Sequence, residues 1–114
     1  MPHHSFATGV TADDVARGYF EFHIKINQEI RLHFMEISSS TRNWGRGIVG
    51  FNDPPNRIFQ NVFSGIQDPA STLQISWFGD LKVRASDLVY QFWDTELAVT
   101  DIINMAYNYD EEKK

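Results

Sequence analysis

Apolar and polar residues alternate strictly along two runs in the first third of the chain. In the first run, Phe20, Phe22, Ile24 and Ile26 alternate with Tyr19, Glu21, His23 and Lys25. In the second, Ile30, Leu32 and Phe34 alternate with Arg31, His33 and Met35. A period of two belongs to a strand with one buried face, and the β-branched and aromatic content agrees. Asn27, Gln28 and Glu29 separate the runs, which predicts a β-hairpin over about 19–37. Parity selects its register. A three-residue loop sets Ile26 opposite Ile30, Ile24 opposite Leu32 and Phe22 opposite Phe34, whereas a slip of one residue turns a whole apolar set into water. The same register sets His23 opposite His33 and Lys25 opposite Arg31. Like charges directly opposed are mildly destabilising, so this face reads as solvated or as lying near an anion.

A second hairpin is predicted over about 72–86. Leu73, Ile75 and Trp77 are followed by Leu81, Val83 and Ala85 around Phe78-Gly79-Asp80, and an odd loop again brings the apolar sets together. Its polar face carries Gln74, Ser76, Lys82 and Arg84. Helices fill the intervals. Thr11 as N-cap, Asp14 three residues on and Gly18 at the C′ position predict a short helix. Asp53-Pro54 reads as a cap and first position, and Ile58, Phe59, Val62 and Phe63 form one stripe, predicting a helix over 54–64. Leu97, Val99, Ile102, Ile103 and Ala106 fit a 3.6-residue period, predicting another over 95–108. Ile48 to Phe51 allows a short third strand, and Asp87 to Trp93 fits either strand or helix. The sum is an α+β domain: an antiparallel sheet built from two β-hairpins, with about three helices packed mainly on one face.

Length and composition narrow the class. At 114 residues with 42% hydrophobic side chains, the chain reads as a single domain, 1–114, with a real core and with flexible ends at 1–10 and 110–114. The absence of cysteine excludes disulfides and thiolate chemistry and fits a reducing compartment. No signal-peptide layout opens the chain and no apolar run reaches membrane-spanning length, so the expected setting is cytoplasmic, with no membrane partner. The net charge of −5 is unevenly placed. Residues 85–114 carry seven acids and two lysines, whereas residues 17–84 carry eight bases and six acids. An acidic balance argues against binding duplex nucleic acid.

The element order is similar to that of class I type III secretion chaperones, which share an acidic balance and bind unfolded effector segments as dimers. The chain lacks the leucine-rich first helix of that family.

Several groups of residues invite chemistry. Gly45-Arg46-Gly47-Ile48-Val49-Gly50 matches the dinucleotide fingerprint in letters, but no βαβ unit surrounds it, so it reads as a loop or edge strand. Arg42, Trp44 and Arg46 form an arginine-aromatic-arginine loop able to stack on a base and pair with phosphate. His23 and His33 are the only histidines inside the domain, and as cross-strand neighbours they could share a metal with Glu21 as a third ligand or act as acid and base. As neighbours on an open face they read as solvated, so no metal, cofactor or catalytic constellation is expected.

Two functions remain. The leading expectation is a small acidic protein-binding module of inhibitor, immunity-protein, adaptor or chaperone type, rather than an enzyme. Its surface would be the acidic, aromatic C-terminal third: Tyr90, Trp93, Asp94, Glu96, Asp101 and Tyr107. Its partner would be a protein with a basic surface, and a homodimer is compatible. The alternative is small-ligand or nucleotide binding by the basic faces and the arginine-tryptophan loop: His23, Lys25, Arg31, His33, Arg42, Trp44, Arg46, Lys82 and Arg84.

Overall fold

The computed structural model describes residues 3–53, 58–70 and 72–111. Eight strands dominate it: β1 (His3–Gly9), β2 (Phe20–Ile26), β3 (Ile30–Ser39), β4 (Gly45–Asp53), β5 (Ile58–Gln67), β6 (Ser76–Val83), β7 (Ser86–Trp93) and β8 (Ile102–Glu111). Among the described residues the one α-helix, α1 (Ala12–Arg17), joins β1 to β2, and a single 3-10 turn spans Thr72–Gln74. The strands form two antiparallel four-stranded sheets, in the orders β1-β8-β3-β6 and β2-β7-β4-β5. Two sheets wound in this order make a jelly roll, a double-sheet all-β architecture. The expected α+β domain with about three helices is therefore corrected to a β-sandwich.

Each part of that correction has a physical cause. Residues 19–37 form two strands, but no hairpin. β2 pairs with β7 and β3 pairs with β6 and β8, so Asn27-Gln28-Glu29 carries the chain from one sheet to the other. Alternation dictates which side chains face inward; it does not dictate which strand lies alongside. His23 lies opposite Val89, and His33 sits on the other sheet. It forms a bulge between Leu32 and Phe34, where one extra residue switches parity. The buried set accordingly passes from Ile30 and Leu32 to Met35 and Ile37.

The second expected hairpin is likewise a single strand. In β6, Leu81 faces Leu32 and Phe78 faces Phe34, so Gly79 and Asp80 together oppose His33 as a bulge rather than a turn. The stripe read as a helix over 54–64 is strand β5 from residue 58; Pro54 to Arg57 lie outside the described residues. An irregularity at Val62 breaks its period of two and mimics helical spacing. The helix expected over 95–108 is a turn followed by β8, where Ile103, Met105 and Tyr107 are buried and the small Ala106 with them. The ambiguous 87–93 segment lies within strand β7, and Ile48 to Phe51 lies within β4.

The short N-terminal helix is as read. Thr11 and Asp14 form a reciprocal capping box and Gly18 closes the helix with φ of 97°, a left-handed value that glycine tolerates without a Cβ clash.

The core lies between the sheets, where Phe20, Leu32, Met35, Ile37, Val49, Ile75, Leu88, Phe92 and Ile103 are nearly or wholly inaccessible. Tyr90 is buried with them, and its hydroxyl donates to the Ala106 carbonyl at 2.9 Å. The glycine-rich run serves this packing. A Cβ on Gly47 would sit 2.5 Å from the Ile37 and Ile75 methyls, and one on Gly45 would strike the Phe92 ring. Among the described residues no helix is long and apolar enough to cross a membrane.

Candidate functional site

The outer face of the β2-β7-β4-β5 sheet ends in a row of neighbouring side chains. Arg46 on β4 lies opposite both Trp93 on β7 and Ile66 on β5. Tyr19, just before β2, stacks on Trp93 with ring centroids 4.1 Å apart. Arg17 in turn lies over the Tyr19 ring at 4.8 Å. Above this row the loop between β3 and β4 projects Trp44. The two tryptophans, with Arg46, Ile48, Asp94, Thr95 and the Gly18 backbone, enclose a cleft of about 330 Å³. Trp44 is 46% exposed and Trp93 37%, which is high for large aromatic side chains.

A buried polar cluster holds the loop in place. Gln67, at the end of β5, is 2% exposed. Its carboxamide accepts from the Ser39 N–H at 2.7 Å and donates to the Ser39 and Arg42 carbonyls at 2.9 and 2.7 Å. The Arg42 side chain reaches into the β7–β8 loop. Its Nε donates to Asp94 at 2.9 Å, its other nitrogens lie 3.7 Å from Asp101 and 3.5 Å from Glu96, and the Asp94 bond pushes its pKa up from the ordinary arginine value. Asp101 also accepts from the Thr41 hydroxyl at 3.0 Å and the Ala98 N–H at 2.8 Å. Trp44 is thus carried by a loop clamped from both sides, a pre-organised wall.

The expected partner-binding residues separate under this geometry. Tyr90 and Tyr107 are buried, and burial pushes both phenols up from their ordinary value. Asp94 and Asp101 are almost inaccessible and engaged by Arg42. Glu96 is 83% exposed, and Trp93 lines the cleft. The expected ligand-binding residues also disperse. His23 and Lys25 face outward from β2, with His23 Nε2 2.9 Å from Glu21. Arg31 bonds Asp80 at 3.0 Å, His33 lies 3.0 Å from Asp110, and Lys82 lies 3.4 Å from Glu29. Arg84 lies in the link between β6 and β7. Only Trp44 and Arg46 converge on the cleft, and the Arg46 side chain makes no hydrogen bond or ion pair with any described residue. His23 and His33 belong to different sheets, and among the described residues no three His, Asp or Glu side chains are grouped as metal ligands.

Sequence reasoning missed Tyr19, Gly18 and Thr95. Tyr19 shares the outward parity of Glu21, so its place on that face was available; its stack on Trp93 depends on the β2–β7 pairing. The chain was compared with protein-family models and with curated proteins, and neither comparison finds a match.

Proposed function

We propose that this chain is a ligand-binding module whose site is the cleft between Trp44 and Trp93, and that the ligand is a flat ring bearing an anionic group, as in a nucleotide. The observation that carries the proposal is an arginine side chain, unpaired among the described residues, that lines one cleft with two exposed tryptophans. Indole faces accept a planar ring by stacking, worth about 1–3 kcal/mol per ring. The Arg46 fork then supplies charge-assisted bonds to phosphate or carboxylate. Asp94, the one acid on the cleft wall, is already engaged by Arg42 and opposes an anion little. The lining offers no nucleophile beside a free base, which supports binding rather than catalysis. Docking of a basic protein on the acidic C-terminal third draws less support, because Asp94 and Asp101 serve Arg42 inside the molecule.

Thermal melting with millimolar AMP tests the proposal. The wild-type melting temperature should rise with the logarithm of ligand concentration. W44A should fold and lose the rise. A rise of equal size in W44A would place the ligand elsewhere.

A further inference from the structure

The opposite outer face, on the β1-β8-β3-β6 sheet, holds a second site of contrary character. Its register sets outward side chains in rows across the strands. One row is aromatic: Phe78 on β6, Phe34 on β3, then Asn108 and His3. Phe34 lies 4.8 Å from Phe78 and 6.3 Å from His3, centroid to centroid. The next row is Ser76, Glu36, Ala106 and Ser5. Three small side chains around one glutamate leave a trough behind the aromatic wall, and a groove of about 470 Å³ opens there. Asn104 lines it farther along.

Glu36 is half-buried, and its carboxylate makes no hydrogen bond or ion pair with any described residue. Its cross-strand neighbours are Ser76 and Ala106, so no cation flanks it within its row. Partial burial of an unpaired carboxylate is unfavourable and becomes favourable when a cation arrives. The adjoining phenylalanine faces favour the same charge, because the ring quadrupole is negative on its face. A long aliphatic stem capped by a positive head suits such a trough, with the stem over Ala106 and Ser5 and the head at Glu36. Phe78, 74% exposed beside the groove, needs a covering surface that a free amine cannot provide.

We infer that this groove receives a lysine or arginine side chain from an exposed segment of a partner protein, with Glu36 as the charge that selects it. This site is independent of the tryptophan cleft and lies on the other sheet.

The test is an amide-shift titration of isotope-labelled protein with acetyl-Gly-Lys-Gly-amide and its Arg and Gln counterparts at millimolar concentration. The Lys and Arg peptides should shift the Ser5, Glu36 and Ala106 amides, and the Gln peptide should not. E36Q should weaken binding about tenfold, the loss of one charge-assisted bond. A106K, which sets a cation directly opposite Glu36 within the sheet at a position 8% exposed, should block the peptides, its own amide spectrum checking that the fold is kept. W44A should leave them bound as in wild type. Equal shifts with the Gln peptide, undiminished binding to E36Q or A106K, or no shift with any peptide would overturn the inference.

Discussion

On the β2-β7-β4-β5 face an arginine side chain without a partner among the described residues lines a cleft with two exposed tryptophans. On the β1-β8-β3-β6 face a glutamate side chain, likewise without a partner among the described residues, lies behind two phenylalanines. Between them, where the β3–β4 loop meets the β7–β8 loop, Arg42, Asp94 and Asp101 are drawn together with little exposure. The contrast separates two uses of charge. Ions at the seam satisfy one another and hold loops; on the faces, where pairs such as Arg31 with Asp80 also form, Arg46 and Glu36 are the two we propose to meet a ligand and a partner. Arg42 in the β3–β4 loop and Arg46 at the start of β4 make the point within one short stretch. They are four residues apart and chemically identical, and only position decides which is structural.

The largest expected effect comes from breaking the seam. R42A leaves Asp94 and Asp101 buried without their cation, which should cost about 3–5 kcal/mol. R46A, on an exposed side chain, should stay within about 0.5 kcal/mol of wild type. Urea denaturation of both variants measures the difference, and equal losses would erase the distinction between seam and face. G47A comes next. Its methyl would meet Ile37 and Ile75 at 2.5 Å, and overpacking of this kind costs about 1–3 kcal/mol. Y90F should lose about 1 kcal/mol, the net worth of the bond to the Ala106 carbonyl; an unchanged midpoint would show that this carbonyl is satisfied without it.

The smallest effect concerns pH. Burial acts to raise the Glu21 carboxyl, but hydrogen bonds from Gln91 and His23 and the charges of His23 and Arg17 outweigh it and hold its pKa below the ordinary 4.5. A depressed folded pKa means that the unfolded chain binds the proton more readily. The contribution to stability is therefore present above pH 4.5 and is lost as pH falls through the folded value. E21Q should flatten the acid limb of the stability curve below about pH 4.5 by slightly lowering the neutral plateau, with stability at the acid end little changed. An acid limb as steep as in wild type would assign that slope to other carboxylates.

How much of this was legible in the sequence depends on distance along the chain. The Thr11–Gly18 helix was readable because its capping box and glycine cap are local. The inward faces of β2 and of the start of β3 were readable because alternation is local too. Pairing was not. A strand with one apolar face is equally served by a neighbour in its own sheet or by an arch across to the facing sheet, and only packing of the whole chain chooses. Irregularities at Val62 and at Gly79-Asp80 then disguised strands as a helix and a turn, and the one at His33 hid the change of buried face within β3. In β8 the period-two set Ile103, Met105, Tyr107 was visible, but Leu97 and Val99 ahead of it extended a competing helical period. At the site, Trp44 and Arg46 were legible as an unusual loop. The role of Arg42 was hidden because its main partner, Asp94, lies 52 residues away.

The central claim is that Arg46, held between two tryptophans, reads an anion on a flat ligand. Tryptophan fluorescence titrations of wild type and R46Q, each with AMP and with adenosine, test it most directly. Wild type should bind AMP at least about tenfold more tightly than adenosine, the value of one charge-assisted contact. In R46Q the two ligands should bind alike, at the adenosine affinity of wild type. A preference for AMP that survives in R46Q, or equal affinities in wild type, would contradict the account.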